Sequence, residues 1–228
     1  MLTREGYFTA WAQWHGGTDP ADSRLVRGWL TLAYVLATGL RALSPNVVTA
    51  VGLLVAASAV VPALAGGYWL LLAGGLVGVS GLLDSLDGAL AILTSRASRR
   101  GFVLDSAVDR LAEAGYAAAL WLAGAPGPLA VGFGALCWLP DYLRARAGQA
   151  GVTETGSISV WERPTRVAMT GFTLGGAGVL AGVVGGGTSG PAVVVVAGTA
   201  VGIVLGAIGT AQLGLDLRRR LGERATYS

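Results

Sequence analysis

Residues 82–110 read LLDSLDGALAILTSRASRRGFVLDSAVDR and carry four aspartates, Asp84, Asp87, Asp105 and Asp109, with Gly88 and Gly101 between the pairs. Long apolar runs flank the stretch on both sides. A carboxylate at membrane depth costs about 2.5–3.5 kcal/mol on insertion scales. Four kept together need a compensating charge, and a divalent metal supplies one. Asp84 and Asp87 stand at i, i+3, and Asp105 and Asp109 at i, i+4, so each pair shares one face of a helix. Two consecutive helices with facing pairs form an all-oxygen cage that suits Mg²⁺ or Mn²⁺. A pair of such ions is a common clamp for phosphoryl transfer. Neutralisation of the acids by Arg96, Arg99, Arg100 and Arg110 is the competing reading. It sets four acids at depth against few cations and is the poorer account.

The rest of the chain says what surrounds these acids. Of 228 residues, 53% are hydrophobic and only 13% charged, with 37 glycines and a mean hydropathy of +0.62. This is the composition of an all-α integral membrane protein, not of a soluble core. No nucleic-acid partner is expected. Six apolar segments approach the roughly 20 residues a bilayer core requires: 47–64, 68–92, 102–122, 129–147, 165–184 and 191–213. The start of the chain, with Arg4 and Glu5 before an aromatic, polar stretch, does not read as a cleavable signal peptide.

Charge sets the orientation. Every basic residue apart from His15 is arginine. The connections 65–67, 124–128 and 185–190 carry no charge. The opposite side carries Arg96, Arg99, Arg100, Arg144, Arg146, Arg163, Arg166, Arg218, Arg219, Arg220 and Arg224. The positive-inside rule puts these loops, both termini and the aspartates at the cytoplasmic side of the cell membrane. Residues 23–43 mix Arg24, Arg27 and Arg41 with Trp29, Leu30, Leu32, Val35 and Leu36, as an amphipathic helix on the inner leaflet would. A seventh span is the less favoured alternative. The expected organisation is a cytoplasmic N-terminus with a juxtamembrane helix (1–45), a six-helix domain (46–215) and a basic tail (216–228).

Smaller features read as structure. Gly74, Gly75 and Gly78, and Gly171, Gly175 and Gly178, have the spacing of close helix–helix contacts. Gly185–Gly187 reads as a loop without phosphate-binding context. Cys137 is the single cysteine and sits in an apolar run, as an inert core residue would. His15 is the only histidine, and no zinc site is expected around it. Pro45 pre-sets a helix start that Ser44 or Asn46 could cap.

The aspartate stretch resembles the signature of the CDP-alcohol phosphotransferases, D-x2-D-G-x2-A-R-x8-G-x3-D-x3-D. Asp84, Asp87, Gly88, Ala91, Gly101, Asp105 and Asp109 fall on it, while Ile92 stands where the family has Arg. The resemblance implies metal-dependent transfer of a phosphatidyl group from CDP-diacylglycerol to the hydroxyl of a small alcohol, releasing CMP. It implies two Mg²⁺ ions (Mn²⁺ as substitute) on the four aspartates, with Asp105 and Asp109 catalytic and Asp109 the general base. It also implies a homodimer. A P-N/D-x-x-T element implies that Asn46 and Thr49 touch the CDP moiety, joined by Gly88, Gly101 and Arg99. Arg96 or Arg99 would compensate for Ile92. Tyr142–Ala147 (YLRARA) and Glu162–Arg166 (ERPTR) look like two elements of the phosphatidylinositol-phosphate synthase branch. They imply that Arg144, Arg163 and Arg166 bind the phosphate of inositol 1-phosphate, with Glu162 orienting one of them. Glu113 and Asp141 lie outside the signature, either near the metals or as arginine partners. Three rival functions remain at this stage: another acceptor such as glycerol 3-phosphate, a non-catalytic lipid-binding or scaffolding subunit, and a Mg²⁺ carrier. A carrier needs acids spread along a pathway, whereas these cluster on one side.

Overall fold

The computed structural model describes residues 2–14, 19–152, 159–184 and 189–224. His15 and Gly185–Gly187 lie outside them. The described residues form helices and connections, with no strand among them. In chain order the helices are α1 (Arg4–Trp14), α2 (Arg24–Gly39), α3 (Pro45–Ser58), α4 (Val60–Ala65), α5 (Trp69–Leu93), α6 (Arg99–Leu122), α7 (Gly127–Gln149), α8 (Arg163–Val184) and α9 (Ser189–Arg224). A single 3₁₀ turn at Pro20–Asp22 precedes α2.

Each of the six expected apolar segments is largely helical, the first divided between α3 and α4. Among the described residues, four stretches are long and apolar enough to cross a bilayer: Pro45–Ala65, Trp69–Leu93, Arg163–Val183 and Ser189–Gly222. The chain is therefore a multi-pass membrane protein. Helices α6 and α7, of 24 and 23 residues, have the length but carry more charge. The first span breaks at Ala59, where Pro62 has no N–H to offer the Ser58 carbonyl. It ends in a turn whose Gly66 and Gly67 both have positive φ (65° and 58°). Glycine takes that backbone without steric cost.

The residues cluster into two compact units. The first comprises Met1–Leu54 and Val79–Asp109. Its core joins Tyr7 and Phe8 of α1, Leu30, Ala33 and Ala37 of α2, Val48 of α3, and Leu86, Ala89, Leu90 and Leu93 of α5. Helix α2 starts at Ser23, whose hydroxyl accepts the Val26 N–H. Residues 30, 33 and 37 share one helical face. On α2, Trp29, Leu32 and Val35 remain exposed. Burial pushes the Tyr7 phenol up to about 12, so it stays neutral.

The second unit comprises Val55–Gly78 and Arg110–Ser228. Here α9 packs against α7 and α8. Close packing depends on missing side chains. A Cβ on Gly74 would lie 2.5 Å from the Gly171 carbonyl oxygen and 2.6 Å from the Gly175 nitrogen, and one on Gly178 would fall on the Leu71 backbone. Gly75 and Gly78 face open space instead. Ala147, Val152, Leu213 and Leu217 form a smaller apolar cluster near the C-terminal half of α9.

Candidate metal centre and arginine network

In the first unit, the ends of α5 and α6 carry the acids. A short connection fixes their separation. The α5 terminus closes with Ser95 at φ 53°, its N–H bonding the Ile92 carbonyl and that of Arg96 the Ala91 carbonyl. This is a Schellman-type cap with serine in the left-handed position usually given to glycine. Helix α6 then begins at Ser98, whose Oγ accepts the Gly101 N–H at 3.0 Å.

Asp84, Asp105 and Asp109 each point one carboxylate oxygen into a common space, all within 4.8 Å of one another. Two oxygens on opposite sides of a Mg²⁺-sized ion are about 4 Å apart. Three hard, half-buried oxygen donors at this spacing therefore fit a divalent cation.

Asp87 stands apart from that trio. It is 6% exposed, and its Oδ2 accepts the Thr49 hydroxyl at 2.5 Å. Asp84 and Asp105 are its charged neighbours. Thr49 is thus engaged with a carboxylate. Asn46 is exposed, with its Oδ1 3.3 Å from where a Gly101 Cβ would lie. Gly101 is therefore a tight approach between α3 and α6, whereas nothing lies within 4 Å of a Cβ on Gly88. Arg96 donates to the Leu43 carbonyl at 3.3 Å. Arg99 and Arg100 are exposed at the start of α6. Ile92 packs against the apolar core of this unit.

The second unit holds an ion-pair network. Arg166, 1% exposed, donates through Nη1 to Glu113 and to Asp141, at 2.7 Å each, and through Nε to the Trp161 carbonyl at 3.0 Å. Arg110 pairs with Glu113 at 3.0 Å and with Asp141. Arg144 reaches Asp141 at 3.4 Å and grips Glu162 through two nitrogens, at 3.1 and 2.5 Å. Arg163 is half-buried and acts electrostatically on Glu113. Arg110, Arg144 and Arg166 are thus matched by Glu113, Asp141 and Glu162.

Both residues outside the signature, Glu113 and Asp141, are thus arginine partners, and Glu162 does orient Arg144. The sequence reading left Arg110 out of this network. Its i, i+3 spacing to Glu113 was the available signal.

Comparison with known proteins agrees with this geometry. The chain is 36% identical over 81 residues to archaetidylinositol phosphate synthase of Aeropyrum pernix, covering 36% of this chain and 42% of that protein. It is 38% identical over 99 residues to the enzyme of that name from Pyrococcus horikoshii, covering 42% and 52%. It spans about half the length of these curated relatives. Two crystal structures of Mycobacterium tuberculosis phosphatidylinositol phosphate synthase share the fold. One, with CDP-DAG bound, has a TM-score of 0.62 at 25% identity and covers 82% of this chain and 94% of that one. The other, in complex with manganese and citrate, has a TM-score of 0.63 at 26% identity and covers 81% and 88%. The family profile described as CDP-alcohol phosphatidyltransferase matches residues 42–204. The chain belongs to the CDP-alcohol phosphatidyltransferase family.

Proposed function

We propose that this protein transfers a phosphatidyl group from CDP-diacylglycerol to a hydroxyl of a small phosphorylated polyol, inositol 1-phosphate first among them, and releases CMP. The observation that carries the reading is the convergence of Asp84, Asp105 and Asp109 within 4.8 Å in a chain of this family. Its relatives named for inositol phosphate products favour that acceptor.

In this mechanism Asp84, Asp87, Asp105 and Asp109 would hold two Mg²⁺ ions, with Mn²⁺ able to substitute. Divalent cations bound there would supply charge neutralisation for the pyrophosphate and polarisation of the lipid-side phosphorus. Asp109 takes the proton of the acceptor hydroxyl as its oxygen bonds to that phosphorus. The bond from phosphorus to the CMP oxygen breaks, and CMP leaves with the electron pair. Gly88, where no neighbour would meet a side chain, leaves room for the nucleotide, with Asn46, Thr49, Gly101 and Arg99 as further contacts. Arg144, Arg163 and Arg166 hold the acceptor phosphate. Arginine's planar fork suits such an anion.

The same reading treats α6 and α7 as spans, giving six. Residues 46–215 are then the transferase domain, between an interfacial α2 on the inner leaflet and a basic tail from residue 216. Both termini and the site face the cytoplasm, and the enzyme acts as a homodimer.

The test is product identification. Purified protein is supplied with CDP-diacylglycerol, Mg²⁺ and, in separate reactions, inositol 1-phosphate, glycerol 3-phosphate and free inositol. CMP and the new lipid are read by mass spectrometry. The phosphatidyl ester of inositol 1-phosphate is the expected lipid. A product formed only with another acceptor would reassign the substrate. No product from folded protein with any acceptor would return the non-catalytic reading.

A further inference from the structure

Residues 159–162 lead into α8 and are tied down at every backbone N–H from 159 to 161. Ser159 donates to Glu162 Oε1 at 2.8 Å, Val160 to Gln212 Oε1 at 3.1 Å, and Trp161 to Ser159 Oγ at 3.3 Å. Trp161 is the largest fully buried side chain among the described residues. Its slot is cut by glycines on α9. A Cβ would come within 3.3 Å of the indole at Gly202, 3.2 Å of the indole nitrogen at Gly206, and 2.9 Å of the Trp161 backbone nitrogen at Gly209. Phe133 closes the slot edge-on, 5.5 Å away at 86°.

A second device fixes the indole's rotation. Pro140 lies inside α7 and has no N–H for the Leu136 carbonyl one turn back. Trp161 Nε1 donates to that carbonyl at 3.1 Å. An acceptor left by the proline thus becomes an address for the tryptophan. The Trp161 carbonyl accepts from Arg166 Nε, and the next residue, Glu162, grips Arg144. One buried side chain therefore sets two of the three arginines assigned above to the acceptor phosphate.

We propose that Trp161, docked on the Pro140-freed Leu136 carbonyl and in the α9 glycine slot, is a positioning residue that sets affinity for the phosphorylated acceptor. The proposal rests on the assignment of Arg144, Arg163 and Arg166 to that phosphate.

The experiment compares the full-length enzyme with Trp161→Phe, Pro140→Ala, the double variant and Arg144→Gln. It measures KM for inositol 1-phosphate, KM for CDP-diacylglycerol, and the thermal unfolding midpoint. Trp161→Phe keeps an aromatic ring and removes the indole donor, orphaning the Leu136 carbonyl. Adding Pro140→Ala returns a helical N–H to that carbonyl. Trp161→Phe should raise the acceptor KM roughly tenfold, the scale of losing one hydrogen bond to a charged group, and leave the lipid KM unchanged. The double variant should recover the midpoint but not the acceptor KM. An unchanged acceptor KM in Trp161→Phe, with Arg144→Gln raised, would overturn the positioning role alone. Recovery of both quantities in the double variant would also overturn it, reducing Trp161 to a hydrogen-bond donor for Leu136. An unchanged acceptor KM in Arg144→Gln would sink the acceptor assignment and this proposal with it.

Discussion

Asp87 and Asp105 belong to one signature but are held differently. Asp87 is buried against the Thr49 hydroxyl, while Asp105 points into the space shared with Asp84 and Asp109. A hydrogen bond from outside the metal shell fixes a carboxylate's direction and typically matters 10–100-fold. Thr49→Val should therefore weaken Mn²⁺ binding by about tenfold, and Thr49→Ser should retain it. Mn²⁺ titration followed by electron paramagnetic resonance reads both, and equal affinities would remove Thr49 from that role. Spacing along the chain placed all four acids on two helix faces. It could not divide them, because the division comes from α3, 38 residues away in sequence. The same holds for Glu113 and Asp141. Each has an arginine at i, i+3 spacing, Arg110 for Glu113 and Arg144 for Asp141, but only folding supplies Arg166 to both.

Among the helices, glycine spacing was legible and glycine facing was not. All of Gly74, Gly75, Gly78, Gly171, Gly175 and Gly178 have contact spacing, yet a side chain on Gly74 or Gly178 would strike backbone, whereas one on Gly75 or Gly78 would meet nothing. Helix periodicity names several faces and does not say which neighbour each one meets. Gly178→Val should therefore lower stability by about 1–3 kcal/mol, the usual scale of overpacking, while Gly75→Ala should be neutral or stabilise by roughly 0.5–1 kcal/mol. Thermal unfolding in detergent compares the two, and similar effects would contradict the packing. Helix α1 was not legible at all. Its buried residues, Tyr7 and Phe8, are adjacent rather than periodic, so no apolar stripe marks them. The apolar spans were legible because length and hydropathy suffice for them. The α9 helix exceeds expectation: its 34-residue candidate span is about 51 Å long at 1.5 Å per residue. It runs well past a hydrocarbon core of about 30 Å into the arginine-rich end, where Arg220 pairs with Asp216.

For the whole molecule, orientation is the property that charge predicts and packing does not test. Arginines on the α5–α6, α7–α8 and C-terminal connections require those segments to face the cytoplasm if the positive-inside rule holds. The single native cysteine, Cys137, is buried and should stay silent to thiol reagents. Ala97→Cys, in the α5–α6 connection, should then react with a membrane-impermeant maleimide only in inside-out vesicles. Reaction in right-side-out vesicles would invert the proposed topology. The central claim is that the aspartates of α5 and α6 make this chain a metal-dependent phosphatidyl transferase. It is tested most directly by CMP release from CDP-diacylglycerol in the presence of inositol 1-phosphate, titrated with Mg²⁺ and Mn²⁺, for the wild type and Asp105→Asn. The account predicts release that needs the metal, stops with chelator, and falls on the order of 100-fold in the variant. Equal release by the two proteins, or release indifferent to chelator, would contradict it.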